Sequence, residues 1–149
     1  MPDIFGDLRE WGAILHKIDR LTEAGELDEH QNGLVRLLRY RFNWQLRHKA
    51  IDAVAKLRTP SPEVMEALLR IAGDEYSELG TRVMACGAVE CALRNRTKAS
   101  WSAETMESIQ TFCDGFLGCP QPPTLRQAVE RWLALLPDPE QHPQTAGTC

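Results

Sequence analysis

No run of apolar residues in this chain exceeds five, Trp132 to Leu136, where a helix needs ~20 to span a bilayer. The opening "MPDIFGDLREWG" carries acids where a secretory signal would place a basic segment and then an apolar one. Both gaps lead us to expect a cytoplasmic protein with no membrane partner. The five cysteines, Cys86, Cys91, Cys113, Cys119 and Cys149, are an odd number with no CxxC pair, so no disulfide framework is indicated. Cys113 and Cys119 are separated by five residues, which matches no usual zinc-ligand pair. The thiols are expected to be reduced core filler, with Cys86 partly exposed.

Catalytic signatures are missing as well. Neither Gly-x-Ser-x-Gly, a Walker loop, HExxH nor GxGxxG occurs. His16, His30, His48 and His142 are scattered, and the one polar cluster, "DEHQNG" at Asp28, is explained by helix capping. We expect no enzyme, no cofactor and no metal. Positive charge is also in deficit. Lys and Arg number 17 against 21 Asp and Glu, a net charge of −4, so attraction to a polyanion would have to be local.

Present instead is an ordinary globular composition, 43% apolar and 26% charged over 149 residues. That suits one domain, expected over 1–136, which would bury roughly 70% of its extended-chain surface. Strand alternation is scarce and helix signals recur. Ile4, Leu8, Trp11, Leu15, Ile18 and Leu21 form one stripe, stopped at Gly25. Asp28 and Gln31 resemble a capping box for a helix to about Tyr40, and Asn43 can cap the next. Ser61 with Pro62 opens a helix ending near Gly73, and Ser77 or Thr81 opens another. Asn95 to Ser100 reads as a loop, and Ser102 caps a helix to about Leu117. Thr124 with Gln127 resembles a last capping box, and 137–149 reads as a Pro-rich flexible tail. The sum is about seven helices and no sheet.

Two segments superimpose at an offset of 35 residues: "RHKAIDAVAKL" from Arg47 and "RVMACGAVECA" from Arg82. Upstream, "LVRLL" at Leu34 parallels "LLRIA" at Leu68. A third copy pairs "IQTFC" with "TLRQAVERWLAL", where Ala128, Trp132 and Leu135 replace Ala50, Val54 and Leu57. Such a period in a helical chain indicates stacked helix pairs. "RIAGDEYSELGTRVMACGAVECAL" resembles the HEAT repeat. The resemblance implies an all-α, right-handed α-α superhelix of about three helix pairs plus an N-terminal helix. It also implies a structural ladder of acid and arginine across turns, with Asp74 and Arg82 matching by type.

The stretch "RLLRYRFNWQLRHK" threads Tyr40, Phe42 and Trp44 between Arg36, Arg39, Arg41, Arg47 and Lys49. Three uses are open: aromatics packing a corner between helices with cations fanning out, a protein-binding hot spot, or a nucleic-acid surface over 36–49. The nucleic-acid use requires that the arginines not splay to different sides. DNA-binding members of the resembled class, alkylpurine glycosylases among them, are longer and strongly basic, and their catalytic acid has no counterpart here. Outward positions on the second helix of each pair are His48, Asp52 and Lys56, then Gly87, Glu90 and Arg94, then Glu130 and Arg131. With Tyr40, Arg41, Trp44 and Arg47 they make the candidate partner surface. The expected function is non-catalytic protein binding, as an adaptor, regulator or accessory subunit in a multi-subunit assembly, with nucleic acid as the alternative partner.

Overall fold

The computed structural model describes residues 3–95 and 102–136, which hold seven α-helices and no strand. They are α1 (Trp11–Ala24), α2 (Gln31–Arg39), α3 (Trp44–Val54), α4 (Pro62–Gly73), α5 (Leu79–Asn95), α6 (Ala103–Leu117) and α7 (Pro123–Leu135), with a 3₁₀ turn at Leu27–His30. The protein is all-α. Asn95 belongs to α5; the rest of the expected loop, and the expected tail from 137, lie outside the described residues.

Local chemistry sets most helix ends. Asn43 is extended, and its side chain accepts from the Gln45 and Leu46 N–H groups, satisfying donors that a helix start leaves unpaired. Ser61 and Ser102 do the same for Val64 and Thr105, and Pro62 takes the first position of α4. Gly25, at φ 71°, ends α1 in the left-handed region that favours glycine.

Three expected starts differ. Asp28 and Gln31 do not form a capping box. The Asp28 carboxylate accepts from the Arg58 and Thr59 N–H groups, and the Gln31 side chain bonds the Thr59 carbonyl and Ser61 N–H. They anchor the chain entering α4, because the 58–61 loop crosses the start of α2 and offers unpaired backbone groups. Helix α7 begins at Pro123, one residue before Thr124, so Thr124 is not its cap. Helix α5 begins at Leu79; the Ser77 hydroxyl donates to Asp74, and Thr81 is buried within the helix.

The N-terminal stripe also divides. Helix α1 starts only at Trp11, and Ile14, Ile18 and Leu21 form its buried face. The preceding segment turns at Gly6 (φ 64°) and presses Phe5 onto α2. A Cβ on Gly33 would stand 2.6 Å from the Phe5 ring, so glycine is what admits it. Asp3 binds Arg36 at 2.7 Å, and Arg36 donates to the Gly6 carbonyl.

Packing follows an alternating order. Helix α2 contacts α4 and α4 contacts α6, while α1 contacts α3, α3 contacts α5 and α5 contacts α7. The two series join as α2 with α3, α4 with α5 and α6 with α7. Because α5 meets three other helices, apolar residues surround it: Ala85, Cys86, Ala88, Val89, Ala92 and Leu93 are all buried. Small side chains there permit close approach, and Trp132 of α7 closes the contact, its Nε1–H donating to the Cys86 carbonyl at 3.1 Å. Cys86 is therefore buried rather than partly exposed.

The two series share one device. Arg47 Nε–H donates to the Leu38 carbonyl at 3.0 Å, and Arg82 Nε–H donates to the Ala72 carbonyl at 2.9 Å. Leu38 and Ala72 are the penultimate residues of α2 and α4, whose carbonyls lack intrahelical donors. In α6 the penultimate carbonyl, Phe116, accepts from the Gln121 amide at 3.1 Å. Different side chains meet one backbone requirement where α2 turns into α3, α4 into α5 and α6 into α7.

Candidate functional site

Two neighbouring corners build the most distinctive surface. The first runs from the end of α2 to the start of α3. Tyr40 leaves α2 extended and lies half-buried against the core, with the Phe42 ring edge-on at 5.6 Å. Phe42 is 89% exposed and Trp44 65% exposed. They do not pack the corner into the core, because Leu38 and Leu46, both fully buried, already fill the space beneath it. The second corner follows α4, where the Asp74 carboxylate accepts from the Tyr76 N–H at 3.0 Å and the Ser77 hydroxyl at 2.8 Å. This turn leaves Tyr76 90% and Leu79 48% exposed. His48 Nε2 and the Thr81 hydroxyl, 2.8 Å apart, tie the corners together, as does Arg41 3.9 Å from Asp74. Trp44 stands edge-on to His48 at 5.3 Å.

Between the corners lies a cavity of about 240 Å³ lined by Leu38, Arg39, Arg41, Arg47, Arg70 and Asp74. Of the five cations, Arg39, Arg41 and Arg47 line this one cavity, while Arg36 turns to Asp3 and Lys49 to Asp19 of α1, so they fan out only in part. Burial lowers the Arg47 pKa from its ordinary value, and the like charge of Arg41 adds to this, against Asp74. The Ser77 hydroxyl, the Tyr76 N–H and the charges of Arg41 and Arg47, in that order, hold the Asp74 carboxyl below the usual carboxylate range, against burial. Arg70 reaches Glu66 at 3.2 Å along α4. Among the described residues, neither Arg39 nor Arg47 has a carboxylate within ion-pair distance.

A groove of about 670 Å³ lies between α4 and α6, and Arg70 and Asp74 line both it and the cavity. Its floor is Leu69, Gly73 and Phe112, and Glu66, Glu104 and Glu107 stand along it. A Cβ on Gly73 would lie 2.9 Å from the Phe112 ring, so the glycine lets that ring close over α4.

Of the surface expected from sequence, Tyr40, Arg41, Trp44, Arg47 and His48 come together at this site. Asp52 lies exposed farther along α3 and Lys56 exposed in the turn that follows it. Glu90 accepts from Arg131 at 2.7 Å and faces Arg94 at 3.8 Å, and Arg126 pairs with Glu130 at 3.2 Å. These α5 and α7 charges engage one another away from the cavity. Among the described residues Asp74 pairs with Arg41, and Arg82 serves the Ala72 carbonyl. Sequence reasoning missed Tyr76, Leu79 and Arg70. For Arg70 a signal existed, since the Leu34–Leu68 alignment sets it opposite Arg36.

Burial raises the Cys86 thiol to about 11 and the Cys113 thiol to about 12, which keeps both neutral. Among the described residues no three His, Cys, Asp or Glu side chains stand together to hold a metal ion, and no helix is long and apolar enough to cross a membrane. No protein-family model matches the chain, and no curated protein or solved structure does.

Proposed function

We propose that this chain is a non-catalytic protein-binding module, an adaptor, regulator or accessory subunit, built as a short right-handed α-α superhelix of HEAT-like pairs. The solenoid part is supported by the alternating helix contacts and by Arg47 and Arg82, 35 residues apart, capping equivalent carbonyls. The binding part rests on one observation. Phe42, Trp44, Tyr76 and Leu79 stand exposed at two adjoining corners around an arginine cavity. Aromatics and arginine are the side chains that dominate interface energetics, and contiguous exposed apolar surface marks interaction sites.

The test is affinity capture followed by mass spectrometry with wild type and with Phe42→Ser/Trp44→Ser. Both positions are exposed, so the variant should melt within about 1 kcal/mol of wild type. A partner captured by wild type and lost by the variant is the expected result; a set of captured proteins indifferent to the variant contradicts it.

A second reading, nucleic-acid binding over 36–49, is favoured by the convergence of Arg39, Arg41 and Arg47 beside exposed Phe42 and Trp44. It predicts oligonucleotide retention that falls steeply with salt and is lost in Arg41→Glu/Arg47→Glu. Absence of any mobility shift near physiological salt removes it.

A further inference from the structure

The charges that line the cavity do not balance, and Glu75 and Glu78 of the neighbouring corner are not among its lining. Four arginines line it against one carboxylate, Asp74, which Arg41 approaches at 3.9 Å, while Arg70 reaches Glu66 at 3.2 Å. An excess of two positive charges remains, carried by Arg39 and Arg47. Arg47, which lines the cavity, is fixed by its Nε bond to the Leu38 carbonyl. A guanidinium anchored in this way offers donors at little entropic cost.

We propose that the cavity binds the phosphoryl group of a phosphorylated serine or threonine in an extended segment of a partner protein; this rests on the protein-binding reading above. Charge decides the ligand class. A phosphoserine carries about −1.5 to −2 near neutral pH with three acceptor oxygens, which matches the surplus, whereas one carboxylate would leave half of it unanswered. Converging arginines are the usual means of holding such a group.

The continuation of the site separates a peptide from a nucleic acid. On the other side of Arg70 and Asp74, which line both spaces, is the α4–α6 groove with Glu66, Glu104 and Glu107. A nucleic-acid strand brings a further phosphate with each nucleotide and would meet these carboxylates. A peptide with one phosphoryl group does not. It can lay an apolar side chain over Leu69 and Phe112 and direct lysine or arginine toward Glu104 and Glu107. The segment recognised is therefore one phosphorylated residue with basic and apolar residues on one side.

The probes are two degenerate nonapeptide libraries, identical except that the central Ser/Thr is phosphorylated in one, and a 15-nucleotide oligothymidine. The full chain should retain the phosphorylated library at least tenfold over the other, with Lys and Arg enriched on one side. Arg39→Glu, exposed and in no ion pair among the described residues, should abolish that preference with little change in melting temperature, and Glu104→Lys/Glu107→Lys should erase the flanking selection. Equal retention of the two libraries overturns the proposal, as does oligothymidine bound more tightly than the phosphorylated library. Phosphatase treatment of a lysate before capture separates the two levels. A partner that still binds through Phe42 and Trp44 refutes the phosphoryl site and leaves the protein-binding reading intact; no partner with or without treatment refutes both.

Discussion

Replacing Arg82 by methionine should destabilise the protein by about 2–3 kcal/mol. Arg82 is buried, 6% exposed, and its Nε–H meets the Ala72 carbonyl at 2.9 Å in the last turn of α4. A hydrogen bond from a charged donor contributes about 1.5–3 kcal/mol, and its loss strands a buried acceptor. A cation at a helix C-terminus contributes roughly 0.3–1 kcal/mol more. Methionine replaces most of the arginine stem, so little cavity cost is added. For a domain of this size each kcal/mol moves the melting temperature by about 2–4 °C, which places the drop near 5–10 °C. The assay is thermal unfolding by circular dichroism, with Arg94→Met on the exposed end of α5 as control, expected within about 0.5 kcal/mol of wild type. Arg47→Met, at a half-buried site, should cost about half as much as Arg82→Met. A drop under about 2 °C for Arg82→Met would refute the capping argument, as would equal effects from Arg82 and Arg94.

Three further outcomes follow. Gly33→Ala puts a methyl 2.6 Å from the Phe5 ring; overpacking of that kind costs about 1–3 kcal/mol, and release of the N-terminal segment should appear as earlier proteolytic cleavage before Trp11. In a Cys149→Ser background at pH 8, Cys119, exposed, should react first with a thiol reagent, while Cys86 and Cys113, raised to about 11 and 12, stay protected until unfolding; rapid native alkylation of Cys86 would contradict its burial. Asp74 has a folded pKa below its unfolded one, so its contribution is complete above the ordinary carboxylate range and lost as pH falls through the folded value. Asp74→Asn should therefore flatten the acid limb of stability against pH, and an unchanged limb would argue against the Ser77 and Tyr76 contacts.

Helix starts at Asn43, Ser61 and Ser102 were legible in the sequence because cap and donors lie within three residues of each other. Asp28 and Gln31 show where that logic ends. The same spacing and side-chain types bind a loop some thirty residues away, and nothing local separates the two uses. Phe5 was overlooked because its partner is an absence, the missing side chain of Gly33. The site was half legible. Arginine and aromatics between Arg36 and Lys49 drew attention by composition, yet which side they face depends on Leu38 and Leu46 having taken the interior first. The Asp74–Leu79 corner supplies the remaining surface, and only the packing of α2 on α4 and α3 on α5 brings it alongside.

Site-specific photo-crosslinking tests the binding surface most directly. A photoreactive phenylalanine analogue would be placed at Phe42, at Tyr76 and at Gln127, all three exposed, the last on α7 away from the corners. Crosslinking in lysate should give the same discrete adduct from positions 42 and 76 and none from 127. Equal labelling from all three positions, or an adduct from 127 alone, would contradict a partner site at the two corners.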